Sequence, residues 1–187
     1  MIDLLQTAAA LGTLLDSKGW KYCFIGGLAV QQWGEPRLTR DVDVTILTGF
    51  GGEETYIREL LSHFTSRIER ADEFALANRV LLLRTSDGID LDISLGGLPF
   101  EESVVRRAKK IEMLPGTTFR ICSPEDLIVL KAFASRAIDW HDVEGVIIRQ
   151  GKANLNWGYI TSNLQPLAEL KGSLEIMQKL EALRTSA

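Results

Sequence analysis

Residues 24–46 read FIGGLAVQQWGEPRLTRDVDVTI. The run Lys21 to Ile25 is short, aromatic and apolar, and it stops at Gly26-Gly27, which predicts a buried strand turning into a short helix, Leu28 to Trp33. After the loop Gly34 to Arg40, the segment DVDVTIL alternates acidic with β-branched residues in steps of two. Such spacing predicts a half-buried strand with Asp41 and Asp43 on one face and the valines on the other. Glycines let a backbone approach a ligand closely, and the N-terminus of the helix that follows offers free N–H groups to phosphate oxygens. Alternate strand residues lie roughly 6.6 Å apart at the backbone, so the two carboxylates can converge on metal ions spaced about 3.5 to 4 Å. Hard oxygen ligands without histidine or thiolate neighbours favour magnesium or manganese over zinc.

Another carboxylate strand lies downstream. Arg79 to Arg84 reads as a strand and Ser86-Asp87-Gly88 as a hairpin turn, which leads into IDLDIS and predicts an antiparallel pair. Asp90 and Asp92 are two apart and share a face, so either can supply a third ligand.

Around these strands, helical spacing predicts an amphipathic helix over 3–18, with Asp3 as its N-cap and Gly19 just past its end. Further helices are expected over 53–64 and 99–109, and two short strands around the Pro115-Gly116 turn. Ser123-Pro124-Glu125-Asp126 combines a hydroxyl cap, a first-turn proline and first-turn acids, and so starts a helix that continues over 126–138. Another follows over 139–150, stopped by Gly151, and one more is expected around Leu174 to Leu183. This order predicts an α+β core over 1–122 and a helical C-terminal part over 123–187.

The 187 residues suffice for a core without disulfide staples, and Cys23 and Cys122 sit in apolar runs as buried thiols. A net charge of −4 gives no global pull toward nucleic acid, so RNA contact would need a local patch, for which Arg106, Arg107, Lys109 and Lys110 are candidates. No apolar run reaches the roughly 20 residues of a membrane span, and Asp3 with no basic leader argues against a signal peptide; a cytoplasmic protein is expected. His63 and His141 have no hydroxyl or thiol partner in a recognisable spacing, and the scattered tryptophans are read as packing residues.

The double glycine followed by Asp-x-Asp on the next strand resembles the signature of the polymerase-β-like nucleotidyltransferase superfamily. That resemblance implies a mixed β-sheet flanked by helices and transfer of an NMP group from a nucleoside triphosphate to an acceptor hydroxyl. It implies Mg2+ or Mn2+ held by Asp41, Asp43 and, in preference to Asp90, Asp92, which would also take or steady the acceptor proton. Gly26 and Gly27 would meet the phosphates, and Arg40 and Arg37 could reach them. The first motif is Gly-Gly-Leu instead of Gly-Ser, so backbone amides must replace the serine hydroxyl of many relatives. Residues 123–148, SPEDLIVLKAFASRAIDWHDVEGVII, resemble the AbiEii-type nucleotidyltransferases, which include toxins of type IV toxin–antitoxin systems. There Lys131 matches a nucleotide-binding lysine and Asp142 the aspartate that follows it, with Asp139 as competitor. The likeness implies an RNA or tRNA end, a protein or a small molecule as acceptor, and a cognate antitoxin as partner. A non-catalytic binding module on the same fold is the alternative, and the sequence leaves acceptor and base preference open.

Overall fold

The computed structural model describes residues 2–186. Its elements in chain order are α1 (Ile2–Ser17), β1 (Tyr22–Phe24), α2 (Gly26–Trp33), β2 (Asp41–Leu47), α3 (Glu53–His63), β3 (Thr65–Ser66), α4 (Ala71–Asn78), β4 (Val80–Arg84), β5 (Asp90–Gly96), α5 (Pro99–Arg107), β6 (Lys109–Leu114), β7 (Thr117–Ile121), α6 (Pro124–Ala134), α7 (Ala137–Gln150), a 3-10 turn (Lys152–Asn154), α8 (Trp157–Lys171) and α9 (Glu175–Ser186). The strands form one seven-stranded mixed sheet in the order β3-β4-β5-β2-β1-β7-β6. Strands β2 and β5 run parallel, as do β1 and β7, and the remaining pairs are antiparallel. This is the α+β nucleotidyltransferase-like architecture that the sequence resemblance implied.

The chain divides into two compact units, one of residues up to 28 with 38–122, the other of residues 29–37 with 123 onward. In the first unit the buried faces of β2, β4 and β5 supply Val42, Val44, Ile46, Leu81, Leu83, Leu91, Ile93 and Leu95, all 1% exposed or less. A one-residue slip of β2 would put its valines in water at about 1.5–3 kcal/mol per side chain, so the register that aims Asp41 and Asp43 the other way is locked by the core. Helix α1 packs on β2 and β7 and α5 on β1 and β2. Cys23 and Cys122 are buried and form no disulfide.

The second unit is helical. Helix α6 begins at Ser123, whose hydroxyl accepts the Asp126 N–H at 3.2 Å, with Pro124 in the first turn as the sequence predicts. It packs on α7 and α8 through Leu127, Ile128, Val129 and Ala132. It ends sooner than periodicity suggested, because Ser135 turns left-handed (φ 63°) and α7 starts at Ala137. Helix α1 starts at Ile2, so Asp3 lies in its first turn instead of capping it. Helix α4 carries no glycine or proline signal: its flanking residues Arg70 and Arg79 both adopt left-handed conformations that are usually glycine's. Helix α8 is capped by Asn156, which accepts the Tyr159 N–H at 2.9 Å, and it carries Pro166 in its interior, where a sequence reading expects a break.

Candidate active site

The parallel pairing of β2 and β5 sets Asp41 opposite Asp90 and Asp43 opposite Asp92. One carboxylate oxygen from each of Asp41, Asp43 and Asp92 falls within 4.8 Å of the others. All three side chains are partly accessible, so the cluster is neither splayed nor plugged. Three hard oxygen donors at this spacing fit a Mg2+- or Mn2+-type ion and offer zinc no nitrogen or sulfur.

The surroundings hold each acid in place. The Thr39 hydroxyl donates to Asp41 Oδ1 at 2.7 Å. The Gly27 N–H donates to Asp43 Oδ2 at 3.3 Å, and the Ile25 N–H to the Asp43 carbonyl at 3.0 Å. Gly26 adopts φ +54°, and a Cβ there would run into the Asp43 carboxylate; a Cβ on Gly27 would meet the Thr39 side chain. The double glycine therefore makes room for Asp43 and for Thr39, as well as opening α2 at its N-terminus.

The two β5 aspartates differ. Asp90 accepts from Arg84 at 2.6 and 3.2 Å and from Arg67 at 3.0 Å, and the Arg84 hydrogen bonds hold its carboxyl below the usual range. Asp92 is paired with Arg67. Its carboxyl is nevertheless pushed up, first by burial, with Arg67 opposing and the Asp41 charge adding to the rise. A carboxylate made costly by burial and by like charge gains most from a cation. Arg67 and Thr39 were not singled out in the sequence. Arg67 follows the two-residue strand β3, too short for a periodic signal, whereas Thr39 stands two residues ahead of Asp41 and could have been found. Arg40, proposed from sequence to reach phosphates, is exposed.

Lys131 and Asp142 belong to the second unit, where they are part of a buried ion-pair network. The Arg37 guanidinium donates to both oxygens of Asp142 at 2.7 and 2.8 Å. Lys131 Nζ lies 2.8 Å from Asp142 Oδ2 and 3.1 Å from Asp139 Oδ1, and Arg136 Nε donates to Asp139 at 2.7 Å. Asp139, Asp142 and Lys131 are 0%, 2% and 8% exposed, so this is no set of solvated surface pairs. Burial opposes ionisation of both aspartates, but the hydrogen bonds from Arg37 and Lys131 to Asp142, and from Arg136 and Lys131 to Asp139, hold both carboxyls below the usual range.

Of the basic residues noted in the sequence, Arg106 and Lys110 line a cleft of about 910 Å³ with Lys21 and Arg120, beside the Leu47 end of β2, the end away from the acids. His63 pairs with Glu59 at 3.2 Å and His141 lies 3.6 Å from Glu35. Neither joins the acid cluster. The indole of Trp140 donates to Ser135 and that of Trp157 to the Lys152 carbonyl.

A mixed sheet that carries Asp-x-Asp on one strand and a further acid in register on the next is the arrangement of a nucleotidyltransferase. The chain belongs to the AbiEii family, the "Nucleotidyl transferase AbiEii toxin, Type IV TA system", whose model matches residues 13–146. Solved structures share the fold. An antigenic nucleotidyltransferase-like protein from Paracoccidioides brasiliensis aligns at 20% identity and TM-score 0.55, over 96% of this chain and 92% of that one. The antibiotic-resistance factor ANT(2'')-Ia aligns at 15% identity and TM-score 0.55, over 95% and 96%. The lincomycin-bound lincosamide antibiotic adenylyltransferase LnuA aligns at 12% identity and TM-score 0.51, over 73% and 92%. No curated protein sequence matches the chain.

Proposed function

We propose that this nucleotidyltransferase moves an NMP group from a nucleoside triphosphate to an acceptor hydroxyl, and that Asp41, Asp43 and Asp92 hold Mg2+ or Mn2+ for it. The observation that carries this reading is the convergence of the three carboxylates within 4.8 Å. The bound ion would supply positive charge to the triphosphate oxygens. The acceptor oxygen bonds to the α-phosphorus, the bond to the β-phosphate's bridging oxygen breaks, and pyrophosphate leaves. Asp92 takes or steadies the acceptor's proton. Gly26 and the other first-turn amides of α2 would meet phosphate oxygens beside Gly27, whose own N–H is held by Asp43, with Arg40 as an exposed cation nearby. The AbiEii likeness also gives Lys131 and Asp142 a nucleotide-binding role. Within its own unit Lys131 Nζ contacts Asp139 and Asp142.

For the acceptor we favour an RNA end, with tRNA as the first candidate, in a toxin checked by a cognate antitoxin. The family assignment supports this. No helix among the described residues is long and apolar enough to cross a membrane, in keeping with action in the cytoplasm. A second reading, transfer to a small molecule, is supported by the fold shared with ANT(2'')-Ia and LnuA. The test incubates each labelled triphosphate and Mg2+ with total RNA, or with an aminoglycoside or lincosamide, using wild type, Asp41→Ala and Asp43→Ala. Label on RNA that vanishes in both variants supports the first reading. Label on the antibiotic selects the second, and transfer that survives both substitutions removes the site assignment.

A further inference from the structure

We infer that Arg67 is the resting counter-ion of the acid cluster, which a divalent cation must displace from Asp92 and which then becomes a ligand for a substrate phosphate. The inference rests on the metal-site reading above.

The Arg67 backbone is fixed to the sheet through its N–H, which donates to the Leu82 carbonyl at 3.1 Å. Its guanidinium reaches across to β5, with one nitrogen 3.0 Å from Asp90 Oδ2 and the other on Asp92. Asp90 does not need it, because Arg84 already engages both oxygens of that carboxylate. What Arg67 supplies is a cation against Asp92, and so against the three-acid cluster. The Arg67 Nε is buried without a hydrogen-bond partner among the described residues. A buried donor left unpaired is costly, so the position is governed by charge neutralisation and not by satisfaction of the guanidinium's own donors.

An ion loaded between Asp41, Asp43 and Asp92 brings two positive charges beside a guanidinium that contacts the same carboxylate. The two cations repel and compete for Asp92. Once released from Asp92, the guanidinium stands at the edge of the cluster, still against Asp90 through one nitrogen, and its other nitrogen is open to a phosphate oxyanion.

The test titrates Mn2+ into the protein without nucleotide, by calorimetry. Arg67→Gln should bind Mn2+ about tenfold more tightly than wild type, since a competing cation is gone, and Arg67→Lys should stay near wild type. With a triphosphate present Arg67→Gln should instead raise the nucleotide KM, with kcat less affected. Unchanged or weaker Mn2+ binding by Arg67→Gln overturns the inference. A second measurement needs no variant: arginine side-chain NMR of wild type during Mg2+ titration should show Arg67 gaining mobility, and an unaltered Arg67 signal under saturating Mg2+ overturns it equally. Asp43→Asn marks the site itself. If wild type shows no saturable binding, or Asp43→Asn binds as wild type does, the metal reading fails and takes this inference with it.

Discussion

The Asp43 carboxylate occupies the space that a side chain on Gly26 would need, and the next amide, Gly27 N–H, donates to it at 3.3 Å. Residues far apart in sequence are thus interlocked: the glycine turn sets where the acid stands, and the acid sets what the turn can be.

Gly26→Ala should therefore damage both fold and site. The left-handed backbone alone costs about 1–2 kcal/mol for a residue with a Cβ, and displacement of Asp43 adds to it. Thermal unfolding should show a lowered Tm. Label transfer from triphosphate should fall by more than the loss of folded protein explains; activity that simply follows the folded fraction would argue that Asp43 need not sit where it does.

Asp92→Asn and Asp90→Asn should separate sharply. Asp92 lies within the three-acid cluster, whereas Asp90 is spent on Arg84 and Arg67. Removing a ligand is expected to cut nucleotidyl transfer by about 100-fold or more, against a few-fold for Asp90→Asn. Comparable losses in single-turnover transfer would mean that both acids carry the chemistry.

Asp92→Asn should also stabilise the metal-free protein at neutral pH. Burial raises the Asp92 pKa above its unfolded value, so its ionisation opposes folding. The protonated acid contributes fully below the unfolded value of about 3.9, and that contribution is lost as pH rises through the folded value. The variant's advantage in urea unfolding with EDTA should thus be present at pH 7 and shrink below about pH 4. A constant difference across that range would contradict the assignment of the shift to this residue.

The buried network in the second unit predicts the opposite sign. Arg37 and Lys131 hold Asp142 below its unfolded pKa, so its contribution is whole above about pH 3.9 and lost as pH falls through the lowered value. Lys131→Met removes the cation shared by Asp139 and Asp142 and should cost about 3 kcal/mol near neutrality, the low end of the range for broken buried pairs because each aspartate keeps an arginine. Urea unfolding from pH 7 to pH 3 should show the gap closing as the aspartates protonate. A loss under about 0.5 kcal/mol would place Lys131 among solvated pairs.

Much of this was legible from local pattern. The alternation of DVDVTIL fixed which face carries Asp41 and Asp43, since a strand has a period of two and the valines had to be buried. Ser123-Pro124 marked the start of α6 because capping is settled within three residues. The glycine pair marked a close backbone approach, though not that the thing approached is Asp43 as well as any ligand. By contrast, α4 was silent because arginines occupy its left-handed ends, and α8 because Pro166 interrupts its interior.

Tertiary structure decided the rest. The choice between Asp90 and Asp92 follows from the parallel register of β5 on β2 and from two arginines, Arg84 on β4 and Arg67 just after β3, the first of which takes Asp90 out of play. Lys131 is buried because α6 and α7 bring two aspartates to it, which the spacing of charges along one chain does not reveal. Local periodicity is written into consecutive residues by backbone geometry. Which strand lies beside which, and which cation reaches which acid, depends on contacts between distant segments and is settled only when the core closes.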